Sequence, residues 1–148
     1  RYGTVTGVRR VLFRSADIET RAQLGLFLND EARRAAHAER QGDKARLLEA
    51  LRTEGLLPNG VSDDPARLPA MTAEVAAAIH VYLARTPAWL VLANVEDVLG
   101  ERAQTNVPGT VDQHPNWSRK LGRTVEEMLR DDRFDTLAAQ LRSTRSVV

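Results

Sequence analysis

The sequence predicts an α/β protein, mostly α-helical, with one buried strand near 89–95. Three observations carry this. Apolar residues recur at helical spacing through most of the chain, clearest at Val75, Ala78, Ile79, Tyr82 and Leu83. WLVLANV, Trp89 to Val95, is a short continuous apolar run after a helix and Pro87, the pattern of a strand buried on both faces in a parallel sheet. A helix feeding such a strand is an α/β unit. One strand cannot make a sheet, so its partners are expected upstream of Ala16 and the chain is expected to be part of a longer protein.

The first fifteen residues stand apart. RYGTVTGVRRVLFRS has no apolar core of signal-peptide length and no small-residue cleavage site. Val5 to Ser15 resembles the translation of a sequencing-library adapter, so residues 1–15 are set aside as non-native and 16–148 are taken as one domain. The other reading of this segment is a genuine edge strand of alternating Val and Thr.

From Ala16 the chain is helical. Asp17 is an expected N-cap, with Ile18, Ala22 and Leu26 recurring every four residues. Asn29 caps a second helix to about Gln41, with Asp30 and Glu31 in its first turn and a weak Ala32, Ala35, Ala36 face. Gly42 is expected to interrupt. Asp43 restarts a helix that buries Leu47, Leu48 and Leu51 and ends at Gly55. Leu56 to Ala70, with three prolines and Asn59-Gly60, is a surface connection. Thr72 caps the strongest helix, stopped by Thr86-Pro87. After the strand, Glu96 to Gly100 forms a polar turn or short helix. Thr124 and Glu127 have capping-box spacing ahead of Val125, Met128 and Leu129, and Phe134, Leu137, Ala138 and Leu141 form a last stripe. Beyond Arg142 periodicity stops and the tail is expected to fray.

Composition bounds the function. Hydrophobic residues at 43% and charged residues at 28% suit a globular chain of this length. A net charge of +1, with Arg matched by acids throughout, argues against nucleic acid or an anionic membrane as partner. No apolar run is long enough to span a bilayer. The absence of cysteine removes disulfides and thiolate metal sites, which fits a cytoplasmic location. His37, His80 and His114 are scattered without metal-ligand spacing, so no metal or cofactor is expected.

The candidate site is NVPGTVDQHPNW, Asn106 to Trp117, a loop too rich in proline, glycine and asparagine to be a helix or strand interior. Shaped loops on a rigid scaffold are where binding residues gather. Pro108-Gly109 predicts a type II turn, with Val107 pushed extended. The Asn106 amide can meet a sugar hydroxyl or hold the turn through the backbone. Trp117 can stack on a sugar face or anchor the loop in the core. His114 is expected to be exposed.

These residues carry a resemblance. VEDVLGERAQTNVPGTVDQHPNWSRKL, Val95 to Leu121, resembles the C-terminal signature of the bacterial 4-α-glucanotransferases (amylomaltases) of glycoside hydrolase family seventy-seven. The matching positions are Asp97, Leu99 and Gly100, then Asn106, Pro108, Gly109 and Thr110, then Asn116, Trp117, Lys120 and Leu121. ADIETRAQLGLF, Ala16 to Phe27, resembles the helix that follows a His-Asp catalytic segment in that family. The resemblance implies the C-terminal portion of a (β/α)8 TIM barrel, with Trp89–Val95 as its last strand and the following loop facing the cleft. It implies an α-1,4-glucan or maltooligosaccharide substrate, with Asn106, Gly109, Thr110, Asn116 and Trp117 as substrate-binding residues, and the missing upstream part of the same barrel as partner. It implies transfer by a retaining double displacement, whose nucleophile, acid and third carboxylate all fall upstream of Ala16. No catalytic residue is therefore assigned here. Glu96-Asp97, side by side on a strand exit, cannot flank one bond, and Asp97 is expected to be a turn or cap residue. The rival function is a small helical interaction module that binds a partner through the Val75–Leu83 stripe.

Overall fold

A computed structural model describes residues 4–6, 16–68, 70–101 and 105–145. Strand β1 (Thr4–Thr6) is followed by helices α1 (Ala16–Gln23) and α2 (Asp30–Thr53), a 3-10 turn (Pro65–Arg67), α3 (Ala73–Ala84), β2 (Leu90–Leu92), α4 (Val95–Leu99), α5 (Val125–Met128) and α6 (Asp132–Arg145). The expected helical predominance holds among the described residues.

The core forms where α2 crosses α3. Leu48 and Leu51 of α2 meet Val75, Ala78, Ile79 and Leu83 of α3, with Leu68 of the connection closing one side. Four apolar residues of α3 are thus covered within the chain, so the stripe that would serve an interaction module is not free. The helix starts read from sequence are made by the expected side chains. Asn29 Oδ1 accepts the Ala32 amide at 2.8 Å, and Thr72 Oγ1 accepts the Val75 amide at 3.3 Å. Thr124 and Glu127 form both arms of the capping box. Gly55, at φ 64, ends α2.

Several expectations are corrected. Helix α1 begins at Ala16, so Asp17 lies in its first turn, where it receives both terminal nitrogens of Arg40 at 2.8 and 2.7 Å and ties α1 to α2. Gly42 does not interrupt; α2 is a single helix of 24 residues. The glycine penalty of about 1 kcal/mol is small beside the burial of Leu48 and Leu51 further along the same helix. Lys44 of α2, a charged residue, is buried. It is 3% exposed, and its ammonium donates to the carbonyls of Pro65 and Leu68 beneath the 3-10 turn. Burial pushes its pKa below the ordinary lysine value.

A cheap prediction follows for Gly42. Its added Cβ would meet only the far end of the Arg46 side chain, at 3.4 Å. Gly42→Ala is expected to stabilise the chain by about 0.5–1 kcal/mol, read as a higher urea midpoint. A lower midpoint would contradict a continuous helix at this position.

Strand β2 departs most from expectation. It spans three residues, not seven: Val95 opens α4, and Trp89 is 76% exposed. Leu90 and Leu92 are exposed, and Val91 packs against the core. Burial on both faces requires covering layers on both sides of a sheet; here the core covers the Val91 side. β2 also has a neighbour. It pairs in parallel with β1, in the register Thr4 to Leu90, Val5 to Val91 and Thr6 to Leu92. β1 lies within residues 1–15; the rest of that segment is outside the described residues.

At the C-terminal end, α6 packs along α3 and touches α4. Its helix runs past Arg142 to Arg145, whose guanidinium donates to the carbonyls of Ala88 and Trp89 at 2.8 and 3.2 Å; the rest of the tail expected to fray, 146–148, lies outside the described residues. Val125 and Leu129, which helical spacing puts on one face with Met128, are 66% and 81% exposed, and α5 is one turn long. No helix among the described residues is long and apolar enough to cross a membrane.

Candidate functional site

The loop after α4 is built around Val107, not around a tryptophan. Val107 is fully buried and fixes the loop to the body of the protein. Pro108 and Gly109 then make the expected turn: the Thr110 amide donates to Val107 O at 3.2 Å, and Gly109 takes φ 90, the sign that position i+2 of a type II turn needs. The turn rests on the α1–α2 connection, since a Cβ on Gly109 would lie 3.9 Å from Leu26 Cδ2. Next to Leu26, the residues Ala22, Gly25, Phe27, Asn29, Asp30 and Arg33 line an open cavity of about 330 Å³.

Asn116 holds the loop closed. Its Oδ1 accepts the Val107 amide at 2.8 Å, and its Nδ2 donates to Thr110 O at 3.2 Å and Thr110 Oγ1 at 2.9 Å. The Thr110 hydroxyl in turn donates to Val107 O at 2.7 Å. A planar amide with an acceptor on one side and two donors on the other suits this double closure, which a carboxylate cannot make. The polar atoms of Thr110 and Asn116 are therefore directed into the loop. Asn106 is half-buried, and its side-chain amide makes no hydrogen bond among the described residues.

Trp117 follows the closure and is 75% exposed, which removes the core-anchor alternative. Among the described residues it is the one non-glycine with positive φ, at 60°. A bulky L-residue in that region costs about 1–2 kcal/mol, so the surrounding bonds must overdetermine it. On its amino side the Asn116 amide donates to His114 O at 2.7 Å, and the Trp117 amide donates to Thr105 O at 2.8 Å. The indole is thus a large apolar surface held outward on a braced backbone. His114 is half-buried rather than exposed.

The five sequence-predicted residues therefore share one loop with divided tasks. Thr110, Asn116 and the Gly109 turn shape it; Asn106 and Trp117 present side chains from it. Sequence reasoning passed over Glu101. One of its carboxylate oxygens accepts the Gly122 amide at 2.8 Å, and the other pairs with Arg119. The Gly122 amide, with Arg119 assisting, holds this carboxyl below the usual glutamate range. The signal, an acid and a glycine far apart in the chain, has no periodicity to betray it.

The other tempting carboxylates, Glu96 and Asp97, lie in α4. Asp97 is buried in the first turn of α4, so Glu96 and Asp97 sit on a helix and not on a strand exit. The Asn94 carbonyl accepts the Asp97 amide at 3.1 Å, in keeping with a helix-start role. His80 is buried with Nδ1 2.7 Å from Ala76 O, and His37 lies 3.2 Å from Glu19. No group of three or more His, Asp or Glu side chains that could hold a metal ion occurs among the described residues.

Comparison with known proteins gives a consistent picture. A family profile described as 4-alpha-glucanotransferase, glycoside hydrolase family 77, matches residues 17–124. The chain is 30% identical over 131 residues to a 4-alpha-glucanotransferase of Haemophilus influenzae, covering 88% of this chain and 18% of that protein. It is 35% identical over 126 residues to proteins of the same description from Mycobacterium bovis and Mycobacterium tuberculosis, covering 84% of this chain and 16% of each relative. The chain thus spans less than a fifth of the length of these relatives.

Proposed function

The chain belongs to the 4-alpha-glucanotransferase family, and from that premise we propose that it forms the C-terminal wall of a glucan cleft whose catalytic carboxylates lie in the rest of a longer protein. The observation that carries this is Trp117: an exposed indole on a strained, cross-braced loop, inside the matched region of a family whose relatives are described as glucanotransferases. The parent architecture is a (β/α)8 TIM barrel, in which loops after the carboxyl ends of strands build the active face. Loop 106–117 follows β2 and α4 in this sense.

The substrate is an α-1,4-glucan or maltooligosaccharide. The indole face stacks on the C–H face of a pyranose, and the Asn106 amide donates to and accepts from ring hydroxyls. Gly109 lets the backbone approach, while Thr110 and Asn116 position these groups. The reaction is a retaining double displacement. A carboxylate attacks the anomeric carbon while a carboxylic acid protonates the leaving oxygen; a sugar hydroxyl then displaces the enzyme carboxylate, its proton returning to the acid-base group. Neither group is assigned to this chain, so its share is binding and orientation.

Two measurements test this. The purified chain is expected to release no glucose from maltotriose, yet to show a maltoheptaose-dependent change in tryptophan emission that Trp117→Ala abolishes. Glucose release by the chain alone would overturn the placement of the carboxylates. An emission response that survives Trp117→Ala would overturn the role of the loop.

A further inference from the structure

The Glu101 contact closes the loop at a second level, outside the Asn116 closure. Glu101 directly follows α4 and Gly100, and its side chain is 13% exposed. Its Oε1 accepts the Gly122 amide at 2.8 Å, and its Oε2 receives the Arg119 guanidinium. The approach is so close that a Cβ on residue 122 would stand 2.7 Å from Glu101 Oε1, nearer than side chains come. A side chain at 122 would therefore have to push the Glu101 carboxylate aside. Trp117 lies between these fixed points. On one side its amide is bonded to Thr105 O; on the other the chain is pinned at Arg119 and Gly122.

A strained residue keeps its conformation only while its flanks are held. Among the described residues, the Asn116 side chain's hydrogen bonds go to Val107 and Thr110, in the segment before Trp117. The downstream flank is held next to Trp117 by the Ser118 hydroxyl, which donates to Pro115 O at 2.7 Å, and further on by Glu101, through a charge-assisted pair and a backbone amide. We propose that Glu101 is a positioning residue that, by clamping Arg119 and Gly122, keeps the Trp117 indole outward as a preset stacking face for a pyranose ring of an α-1,4-linked glucan. The proposal rests on the glucan reading of the loop for its ligand, but not for its geometry. Glu101 does not touch the sugar; it acts through Trp117.

The test uses the full chain with Trp89→Phe, which leaves Trp117 as the one indole. Without sugar, Glu101→Ala and Gly122→Ala are both expected to lower the emission anisotropy of Trp117, because the indole gains freedom when its downstream flank is released. With maltoheptaose, both are expected to raise the dissociation constant by about tenfold. Glu101→Gln keeps an acceptor for the Gly122 amide but loses the charge facing Arg119, and is expected to fall between these variants and the parent. Far-UV circular dichroism follows the helices, whose core is separate from the clamp; should Glu101→Ala unfold them, Gly122→Ala and Glu101→Gln decide alone. Anisotropy and affinity both unchanged in Gly122→Ala and Glu101→Gln would overturn the clamp. Absence of any maltoheptaose response in the Trp89→Phe chain itself would instead overturn the glucan reading, and with it the stacking role, while the anisotropies still show whether Glu101 fixes the indole.

Discussion

Leu48→Ala is expected to destabilise the folded chain by about 2–5 kcal/mol, a large part of the roughly 5–15 kcal/mol that holds a typical domain together. Leu48 is fully buried and sits where α2 meets α3, in the cluster with Leu51, Val75, Ile79 and Leu83. Truncation removes apolar contact and leaves a void that two packed helices cannot close without moving against each other. The cluster also carries the Leu56–Ala70 connection through Leu68, so a shift of α2 is transmitted to the 3-10 turn that Lys44 holds from below. Leu129→Ala, at a site 81% exposed, supplies the contrast and is expected to change stability by less than about 0.5 kcal/mol. Urea unfolding followed by helical circular dichroism separates the two. The Leu48→Ala midpoint should fall with an unchanged slope, while that of Leu129→Ala stays in place. Equal midpoints for the two variants would mean that the α2–α3 contact is not the core of this chain.

Much of that core was legible before any coordinates. The stripe of α3 and the Leu47-Leu48-Leu51 group announce themselves by spacing, because a helix repeats every 3.6 residues and a buried face must follow that repeat. The caps at Asn29, Thr72 and Thr124 were legible for a similar reason: an N-cap bond spans two or three residues and leaves a local signature. The misses share the opposite property. Gly42 looks like a break because its cost is local, whereas the compensation, Leu48 and Leu51 against α3, is tertiary. Lys44 reads as solvent-facing because the carbonyls it serves, at Pro65 and Leu68, come from a distant connection. Apolar character in Trp89–Val95 signals that the segment is made to be covered, but not how much of it this chain covers. Leu90 and Leu92 remain exposed beside a paired Val91.

The site was legible in location and not in division of labour. Twelve residues crowded with Asn, Pro and Gly mark a shaped loop, and Pro108-Gly109 gave its turn type. Nothing in the order of residues shows that Asn116 reaches back to Val107 and Thr110, nine and six positions away. The sign of φ at Trp117 was equally hidden, since glycine or asparagine is the usual occupant of that region. Its exposure and its strain are consequences of one arrangement: the bonds that close the loop take up the backbone on either side and leave the indole no inward path.

Asn116→Ala tests that arrangement from within and is expected to open the loop while leaving the helices folded. The substitution strands the Val107 amide in a position with no access to water and removes both donors from Thr110. A buried donor left unpaired costs about 1–3 kcal/mol. The local closing free energy should fall by about that amount, which corresponds to roughly a 5- to 150-fold faster exchange of the loop amides if they exchange through local opening. Hydrogen exchange read by peptide is expected to show this at Val107, Thr110 and Trp117, with the α3 amides unchanged, because the Asn116 bonds go to Val107 and Thr110 and not to the Leu48–Ile79 core. Asn116→Asp is the sharper variant. It keeps an acceptor for the Val107 amide but turns a carboxylate oxygen toward Thr110 O, so it should not restore closure, whereas any role limited to filling space would be restored. Unchanged exchange at Val107 in Asn116→Ala would assign the closure to the Pro108-Gly109 turn alone. Loss confined to the loop would show that the Asn116 amide holds the upstream flank of Trp117, as Glu101 holds the downstream one.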